Sequence, residues 1–295
     1  MGPSDETVVG FIGLGNMGGQ LAANLVGAGH AVVTHDVAGP ERSPEGATFA
    51  TSVGDLARWT DVIVLSLPDG PVSTAVARDI AAVPGSDRRA THVVDTSTIG
   101  LTAAHANERL LDEVGVAYVD APVSGGVAGA RARTLSVMVA GSDDAYVVVE
   151  PVLGGLSDRV RRVGDRPGMA QALKLANNFL SATALAATSE AVAFGMSVGL
   201  DMATMLAVLD SSSGASAATG DKFPNHVLTG TYSAGFANAL MAKDVRLYLQ
   251  AVDEGHLPAR VGHVTADIWE RFARAEPGAD FTRIYPFVES RADEG

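Results

Sequence analysis

Lys174 is the residue whose side-chain type and sequence surroundings best fit a catalytic group. It lies in the sequence Gly168-Met169-Ala170-Gln171-Ala172-Leu173-Lys174-Leu175-Ala176-Asn177-Asn178, and no charged residue occurs from Leu175 to Ser189. In a helix, Lys174 and Asn178 would project from one face, where both could hold the same substrate oxygen. The arrangement suggests proton transfer by the amine. A solvated surface charge is the alternative that this pattern alone leaves open.

A glycine-rich turn near the start of the chain is typical of dinucleotide binding. The sequence Val9-Gly10-Phe11-Ile12-Gly13-Leu14-Gly15-Asn16-Met17-Gly18-Gly19 places GxGxxG between an apolar run and a helical pattern. Gly13 allows a tight turn, Gly15 lets a pyrophosphate approach the backbone, and Gly18 lets helix and strand pack closely. Ordinary turn glycines are the alternative. The residues predicted to contact the dinucleotide are Gly13, Leu14, Gly15, Asn16, Met17 and Gly18.

Asp36 ends the next apolar run, at the position that determines specificity for NAD or NADP in such folds. Its carboxylate would accept hydrogen bonds from the adenosine ribose hydroxyls. The same carboxylate would repel a 2′-phosphate, the next residue is Val37, and no arginine occurs before Arg42. The pattern favours NAD as the cofactor, with NADP less favoured. A solvated carboxylate at a strand end is the alternative.

A second candidate binding loop is Asp120-Ala121-Pro122-Val123-Ser124-Gly125-Gly126. It follows a predicted strand, at the edge where open α/β sheets bind their ligands. The hydroxyl of Ser124 and the backbone N–H groups of Gly125 and Gly126 could hold an anion such as a substrate carboxylate. An ordinary loop is the alternative.

The elements that must position these residues change in type near the middle of the chain. Short β-branched runs alternate with helical patterns up to Pro167, which predicts βαβ units and a parallel sheet. After Pro167 the sequence predicts only helices, the first an unusually long one from about residue 168 to residue 198. We therefore expect one domain over residues 1–165 and a second over residues 166–295, with the long helix shared between them.

The element boundaries follow from these periodicities. The predicted strands are Val8–Ile12, Ala31–Asp36, Val62–Ser66, His92–Asp95, Val116–Val119, Leu135–Val139 and Val160–Val163. The predicted helices are Met17–Ala28, Val53–Thr60, Val72–Ala82, Leu101–Glu113, Asp144–Val152, the long helix, Met202–Leu209, Asn238–Val252 and Ala259–Ala275.

The composition of the 295 residues excludes several classes of protein. A net charge of −13 argues against nucleic acid or an anionic membrane as a partner, because phosphate-binding surfaces need clustered Lys and Arg. Cysteine is absent, and the seven histidines lack metal-binding spacing, so we expect no disulfide and no metal site. Residues 1–6 do not resemble a signal peptide, and the uncharged stretch Leu175–Ser189 is too short to span a bilayer. We expect a cytoplasmic protein.

These motifs together resemble those of the β-hydroxyacid dehydrogenase family, whose best-known member is 3-hydroxyisobutyrate dehydrogenase. The resemblance covers nearly the whole chain. Its further segments are Asn24-Leu25, Leu67-Pro68, Asp95-Thr96-Ser97-Thr98-Ile99, Ser212-Ser213-Gly214, Gly235-Phe236 and Met241-Ala242-Lys243-Asp244. The resemblance implies an α/β Rossmann domain with a mostly parallel sheet, followed by an all-α C-terminal domain joined to it by a long interdomain helix. It also implies subunits paired through the helical part, as a homodimer or a homotetramer.

The resemblance assigns a role to each candidate residue. Lys174 would be the catalytic acid/base, Asn178 would orient the substrate, and the loop Ser124–Gly126 would hold the carboxylate of a small substrate. The further residues that would line the cofactor are Leu67, Pro68, Val72, Thr98 and Lys243. For Lys243, an ion pair with a neighbouring acid is the alternative.

The implied reaction is oxidation of a 3-hydroxyacid, with Lys174 removing the hydroxyl proton while the cofactor accepts a hydride. The ordinary pKa of a lysine is near 10.4. Burial and the cationic nicotinamide would have to lower it, so we expect faster oxidation at alkaline pH. Two alternatives stay open. One is an imine reductase, which usually lacks a lysine at this position, and the other is a nucleotide-binding relative without catalysis.

One departure from the family pattern concerns the substrate. In the 3-hydroxyisobutyrate enzymes a tryptophan follows three residues after Ser-Ser-Gly, and here that place is Ala217. A smaller residue leaves room for a bulkier or differently shaped substrate. We therefore do not name 3-hydroxyisobutyrate itself as the substrate, and we keep open tartronate semialdehyde, 3-hydroxypropionate, and serine-like and aryl-substituted hydroxyacids.

Overall fold

A computed structural model describes residues 7–290 of the chain. The prediction that residues 1–6 are not part of a signal peptide concerns residues outside this range. The structure divides into two compact units, one ending at Lys174 and the other beginning at Leu175. The division falls inside the long helix, which runs without a break from Met169 to Ser197.

The strands and helices follow one another in a regular order in the first unit. In chain order they are β1 (Val8–Ile12), α1 (Gly18–Gly27), β2 (Ala31–His35), β3 (Thr48–Phe49), α2 (Val53–Trp59), β4 (Val62–Leu65), α3 (Gly70–Ala81), β5 (His92–Asp95), α4 (Leu101–Asp112), β6 (Ala117–Asp120), β7 (Val123–Ser124), α5 (Gly126–Arg131), β8 (Ser136–Ala140), α6 (Asp143–Leu156), β9 (Arg159–Gly164) and α7 (Met169–Ser197).

The strands form one sheet with the order β3-β2-β1-β4-β5-β6-β8-β7, and β9 also pairs with β8. All pairs from β3 to β6 are parallel, whereas β8 is antiparallel to β6 and β7. The order reverses between β1 and β4, the type of switch point at which doubly wound sheets bind ligands. The expected mostly parallel sheet is confirmed.

Helices cover both faces of this sheet. Along β4, Val62 and Val64 face the core formed with α1 and α6, whereas Ile63 and Leu65 face the core formed with α2, α3 and α4. Because successive side chains of a strand point to opposite faces, a strand buried on both sides must be apolar at every position. The sequence Val62–Leu65 meets that requirement.

The regular elements in the described residues of the second unit are all helices, apart from one isolated bridge between Ala237 and Asp280, and turns connect them. Beyond the shared helix its elements are α8 (Met202–Asp210), a π-helical segment (Ala218–Val227), α9 (Asn238–Glu254), α10 (Arg260–Ala275) and α11 (Ile284–Glu289), with a 3₁₀ turn before α11. Its core is aromatic, with Trp269, Phe223 and Phe272 fully buried.

Helix α7 matches the predicted long helix from about residue 168 to residue 198, and it extends beyond the uncharged stretch Leu175–Ser189 at both ends. Its 29 residues are long and apolar enough to cross a membrane by length and composition, a test that core helices also pass. A stripe of its side chains, including Ala182, Leu185 and Val192, is buried against the aromatic core. The stripe repeats every three or four residues, as expected of a helix packed against protein.

Several elements differ from the sequence-based expectation. β3 and β7 have two residues each, too short for any periodicity, and α5, the π-helical segment and α11 were also not predicted. α6, which contains Pro151, continues beyond Val152 to Leu156, and Leu153 and Leu156 are buried in the core. α7 begins at Met169 because Gly168 has a φ of +93°, which is not helical.

Candidate active site

The glycine-rich turn has the geometry that dinucleotide binding requires. Gly13 has a φ of +94°, and a Cβ there would lie 2.3 Å from the carbonyl oxygen of Ser66. A Cβ on Gly18 would lie 1.9 Å from the carbonyl oxygen of Gly13. A Cβ on Gly15, by contrast, would have no neighbour within 4 Å. Gly13 and Gly18 are thus required by packing, whereas Gly15 leaves open space beside the backbone.

Asp36 braces this turn. Its Oδ2 accepts a hydrogen bond of 2.5 Å from the backbone N–H of Leu14, and its Oδ1 accepts one of 2.8 Å from the N–H of Ala38. The side chain of Leu14 is buried in the core. Leu14 can therefore face a ligand only through its backbone, whereas Gly15 and Asn16 are exposed and Met17 is half-buried. Val37, beside Asp36, is fully exposed.

The loops after β4 and β5 are joined by a hydrogen bond. The backbone N–H of Leu67 donates to the Oγ of Ser97 over 2.8 Å. Pro68 and Val72 are exposed, and Val72 lies in the first turn of α3, where its N–H donates to the capping side chain of Asp69. Thr98 is partly exposed between buried neighbours. These two loops therefore present the predicted cofactor contacts at the carboxyl edge of the sheet.

A buried polar network lies beneath these loops. Asp95 is fully buried at the end of β5, and its carboxylate accepts from the hydroxyl of Ser73 at 2.6 Å and from the N–H of Ser97 at 2.9 Å. Asn107 donates in turn to the hydroxyl of Ser73. Burial raises the pKa of Asp95, while the hydrogen bonds from Ser73 and Ser97 oppose that rise. The network fixes the main chain from which Thr98 projects.

Asp120 ends β6 and caps the first turn of α7. Its Oδ2 accepts a hydrogen bond of 2.9 Å from the backbone N–H of Gln171. It lies directly beside Asp95 in the register of the two strands. The pKa of Asp120 is raised to about 7, mainly by burial; hydrogen bonds from the N–H groups of Gln171 and Gly168 oppose this rise, and the nearby Asp95 adds to it.

The side chain of Gln171 connects α7 to the loop after β5. Its Oε1 accepts from the backbone N–H groups of Ile99 and Gly100, at 3.0 and 3.2 Å. Its Nε2 donates to the carbonyl oxygen of Ser97 at 2.9 Å. We call these three hydrogen bonds the Gln171 clamp. The clamp holds the first turn of α7 against the loop that carries Thr98.

Lys174 lies one turn further along α7 and is 7% exposed. Gln171 and Lys174 are three residues apart, so they lie on one face of the helix. Together with the glycine-rich turn, Asp36, and the loops after β4 and β5, Lys174 belongs to the first compact unit. A lysine is rarely buried to this extent without a specific role or partner. The sequence-based alternative of a solvated surface charge does not fit this burial.

The Ser-Gly-Gly loop also lies beyond the carboxyl end of β6. Ser124 pairs with Ser136 of β8 in an antiparallel bridge. Gly125 and Gly126 have φ values of +131° and +68°, in the region that favours glycine. A Cβ on Gly126 would meet no atom within 4 Å. The sequence is thus matched to a sharp turn with open space on its outer side.

In the helical unit, Asn178 and Lys243 share one acidic partner. The Nδ2 of Asn178 donates to the Oδ2 of Asp244 at 2.6 Å, and the Nζ of Lys243 lies 3.2 Å from the Oδ1 of Asp244. All three residues are largely buried. The ion pair considered as the alternative for Lys243 is therefore present, and it orients the lysine and the asparagine together.

The structure adds positioning groups that the sequence analysis did not select. Gln171, Ser97 and Asp120 hold the predicted residues through hydrogen bonds between chain segments that are far apart in sequence. One signal was available for Gln171, which shares the helix face of Lys174 in an otherwise uncharged segment. No spacing in the sequence identifies the partners of Asp120 or Ser97.

Comparisons with known proteins match both halves of the chain. Residues 8–164 match the family described as the NAD-binding domain of 6-phosphogluconate dehydrogenase. Residues 168–288 match the family described as the NAD-binding domain of NADP-dependent 3-hydroxyisobutyrate dehydrogenase. The two matches together extend over almost all of the described residues.

Whole-length relatives agree with these matches. A probable 3-hydroxyisobutyrate dehydrogenase of Mycobacterium tuberculosis is 34% identical, over 97% of this chain and 99% of that protein. A 2-(hydroxymethyl)glutarate dehydrogenase of Eubacterium barkeri is 33% identical, over 89% and 88%.

The structural comparison leads to the same group. The solved structure of the M. tuberculosis 3-hydroxyisobutyrate dehydrogenase, described together with L-serine, superimposes with a TM-score of 0.89. The two chains are 33% identical, and the match covers 96% of this chain and 99% of that one. With a Rossmann-type sheet, a dinucleotide turn and whole-length relatives of this kind, the chain belongs to the β-hydroxyacid dehydrogenase family of NAD(P)-dependent oxidoreductases.

Proposed function

We propose that the protein interconverts a 3-hydroxyacid and its semialdehyde or keto acid, with Lys174 as the general acid/base and NAD as the preferred cofactor. The observation that carries this proposal is the near-complete burial of Lys174, one helical turn from the Gln171 clamp. A buried amine beside a cofactor loop is the type of group whose proton affinity proteins adapt to catalysis.

The residues of the first unit fit a bound dinucleotide. Gly15 leaves the space that a pyrophosphate needs beside the turn, and the turn opens directly into α1. Asp36 already orders the backbone of the turn, and a carboxylate has lone pairs left for the hydroxyls of a ribose. The loops holding Leu67, Pro68, Val72 and Thr98 would contact the remainder of the cofactor.

The mechanism assigns proton transfer to Lys174. The cofactor, when bound, supplies the hydride acceptor for oxidation and the hydride donor for reduction. In oxidation, the neutral amine of Lys174 takes the hydroxyl proton as the carbon–oxygen double bond forms. In reduction, its ammonium form returns that proton to the oxygen. Asn178, fixed by Asp244, would orient the same oxygen.

The substrate carboxylate would be held by the Ser-Gly-Gly loop. The hydroxyl of Ser124 and the N–H groups of Gly125 and Gly126 are donors suited to an anion, and the turn leaves open space beside Gly126. L-serine, named with the M. tuberculosis structure, is itself a 3-hydroxyacid. Because Ala217 replaces a tryptophan of the family pattern, we expect activity on substrates larger than 3-hydroxyisobutyrate, measured as kcat/KM across a panel of 3-hydroxyacids.

The preference for NAD rests on Asp36 and its surroundings. A carboxylate at this position would repel the 2′-phosphate of NADP. The adjacent Val37 offers no positive charge. Replacing Val37 by arginine should raise kcat/KM with NADP and leave the turn intact, since the side chain is fully exposed. Equal activity of the unaltered enzyme with NAD and NADP would remove this preference.

The expected oligomer is a homodimer or homotetramer formed through the helical unit. This unit exposes several large apolar side chains, among them Leu180, Phe194, Val261 and Val264. We propose that some of these side chains lie in the subunit interface, because exposed apolar surface is enriched at protein interfaces. Sedimentation velocity would give the mass directly, and a monomer at micromolar concentration would contradict this assignment. We also propose a cytoplasmic location, with neither nucleic acid nor membrane as a partner.

The decisive test compares two of the lysines of the chain, Lys174 and Lys222. Lys174→Ala should lower kcat by roughly 10²–10⁴-fold. Lys222→Ala is the matched control, because Lys222 forms an ion pair with Asp221 in the helical unit and has no proposed role in turnover. Added primary amines should restore part of the activity of Lys174→Ala, with a pH dependence that follows the pKa of the amine.

The other outcomes point to other functions. Unchanged turnover in Lys174→Ala would exclude this lysine as the acid/base. A folded protein that binds NADH and turns over no hydroxyacid would favour a nucleotide-binding role without catalysis. Reduction of cyclic imines in place of keto acids would favour an imine reductase.

A further inference from the structure

We propose that Gln171 is a positioning residue for catalysis, which fixes the rotation of helix α7 and thereby the place of the Lys174 amine relative to the cofactor loop. The inference rests on the proposed function of Lys174. Gln171 itself touches neither the substrate nor the cofactor in this proposal, since its three hydrogen bonds all go to the main chain of residues 97–100.

The Gln171 clamp has an unusually complete set of partners. Gln171 is fully buried, and its amide uses both its oxygen and its nitrogen. The oxygen accepts from Ile99 and Gly100, whereas the nitrogen donates to Ser97. A glutamine amide supplies an acceptor and a donor at once without any change of protonation. A carboxylate would face the carbonyl oxygen of Ser97, and an apolar side chain would leave three buried polar groups without their partner.

The contact made by Asp120 cannot replace this clamp. Asp120 binds the backbone N–H of Gln171, and such groups at the start of a helix point along the helix axis. A bond along the axis fixes where the helix begins but resists its rotation weakly. The Gln171 side chain projects away from the axis, so its bonds oppose rotation. The two contacts therefore define different degrees of freedom of the same turn.

Rotation matters because Lys174 lies on the same helix face as Gln171. Any turn of α7 about its axis would carry the long Lys174 side chain sideways. A misplacement of 1 Å can cost about 100-fold in rate. The loop at the other end of the clamp carries Thr98, which we propose as a cofactor contact. The clamp thus ties the proton-transfer group and the cofactor loop to one another directly.

The test replaces Gln171 in the full-length enzyme and separates positioning from stability. Gln171→Met removes all three hydrogen bonds at similar volume, and Gln171→Glu keeps the acceptors for Ile99 and Gly100 but loses the donor to Ser97. Gln250→Met, on the exposed side of α9, is the matched control. We expect kcat to fall about 10-fold or more in Gln171→Met and less in Gln171→Glu, with the dissociation constant of NADH changed by less than about threefold. The primary deuterium isotope effect on kcat should rise, because hydride transfer becomes slower.

A double-mutant cycle provides the readout that a merely structural role would not produce. If Gln171 acts through Lys174, adding Gln171→Met to Lys174→Ala should lower the residual kcat by less than about threefold. A full additional loss would overturn the positioning role, as would a kcat of Gln171→Met within twofold of the unaltered enzyme.

Results that contradict the proposed function can be told apart from results that contradict only the positioning role of Gln171. An unaltered enzyme without turnover, or one that does not need Lys174, would overturn the proposed function and this inference with it. An active, Lys174-dependent enzyme that is insensitive to Gln171→Met would overturn the positioning role alone.

Discussion

The first turn of helix α7 and its later turns are held by different kinds of contact. At the start, Gln171 and the cap by Asp120 use hydrogen bonds to buried main-chain and carboxylate groups. Further along, Leu185 and Val192 are buried among aromatic side chains such as Trp269. One helix thus combines a polar attachment in the first compact unit with an apolar attachment in the second.

The difference shows which part of α7 needs contacts that fix its orientation and which part needs only buried apolar area for stability. Hydrogen bonds depend on angle, so they set the rotation of the turn that precedes Lys174. Apolar contacts depend mainly on buried area and packing, so they contribute more to stability than to direction. We therefore expect changes at the start of α7 to affect turnover, and changes in its later part to affect folding.

The largest expected effect on stability comes from the apolar part. Trp269 is fully buried, and its Nε1 donates to the carbonyl oxygen of Ala182 at 3.1 Å. Trp269→Ala should lower the free energy of unfolding by about 3–5 kcal/mol. The kcat of the protein that remains folded should change little. Chemical denaturation would measure the free energy of unfolding, and active-site titration would give kcat per folded enzyme. A large fall in that kcat would show that the apolar part of α7 also affects turnover.

An intermediate effect should come from the cap of the polar part, and it should depend on pH. Burial raises the pKa of Asp120 to about 7 in the folded protein, above its value of 3.8 when unfolded. Between these pH values the folded state binds more protons than the unfolded state, so stability falls as pH rises. Because the amide introduced by Asp120→Asn cannot ionise, the free energy of unfolding of that variant should fall less steeply between these pH values. The expected difference from the unaltered protein is a few kcal/mol across the range.

Denaturation midpoints from about pH 5 to about pH 8 would test this, with the exposed Asp79→Asn as the control. Parallel curves for Asp120→Asn and the unaltered protein would show that the cap does not titrate in this range. Trp269→Ala should be destabilised equally at both ends of the range, because no charge is involved.

The smallest expected effect concerns a polar contact within the apolar part. The hydroxyls of Thr183 and Thr265 lie 3.1 Å apart, and Thr183 also donates to the carbonyl oxygen of Phe179. Thr183→Val should cost about 1 kcal/mol of stability and leave kcat unchanged, since one hydrogen bond contributes about that much. Thr183→Ser keeps the hydroxyl and serves as the control. If Thr183→Val lost turnover while Thr183→Ser did not, hydrogen bonds beyond the first turn of α7 would also help to orient the helix for catalysis.

The sequence was sufficient for features with local causes. Strands β1 and β5 were predicted with their observed bounds, and Gly13 and Gly18 stand where a Cβ would collide with backbone. Asp201 caps α8 from the position directly before the predicted helix Met202–Leu209, where aspartate is favoured. The spacing that identifies each of these is local and visible without a structure, although the carbonyl group that a Cβ on Gly13 would meet belongs to the distant Ser66.

The remainder depends on contacts between distant residues. Asp120 and Gln171 are separated by 51 positions, and Gln171 and Ser97 by 74. No periodicity relates them, because the sheet order decides which strand ends become neighbours. Asp244 was noted as part of a motif, but its bonds to Asn178 and Lys243 follow only from the packing of α7 and α9. The roles of the individual site residues remain predictions.

The Gln171 clamp also has an evolutionary consequence. It binds the loop only through the N–H groups of Ile99 and Gly100 and the carbonyl oxygen of Ser97, all of them main-chain atoms. Side chains in that loop can therefore diversify without loosening the attachment of α7. Libraries randomised at Thr98 should retain the lysine in place while the surroundings of the reacting groups change. The arrangement makes this loop a natural starting point for directed evolution of cofactor binding.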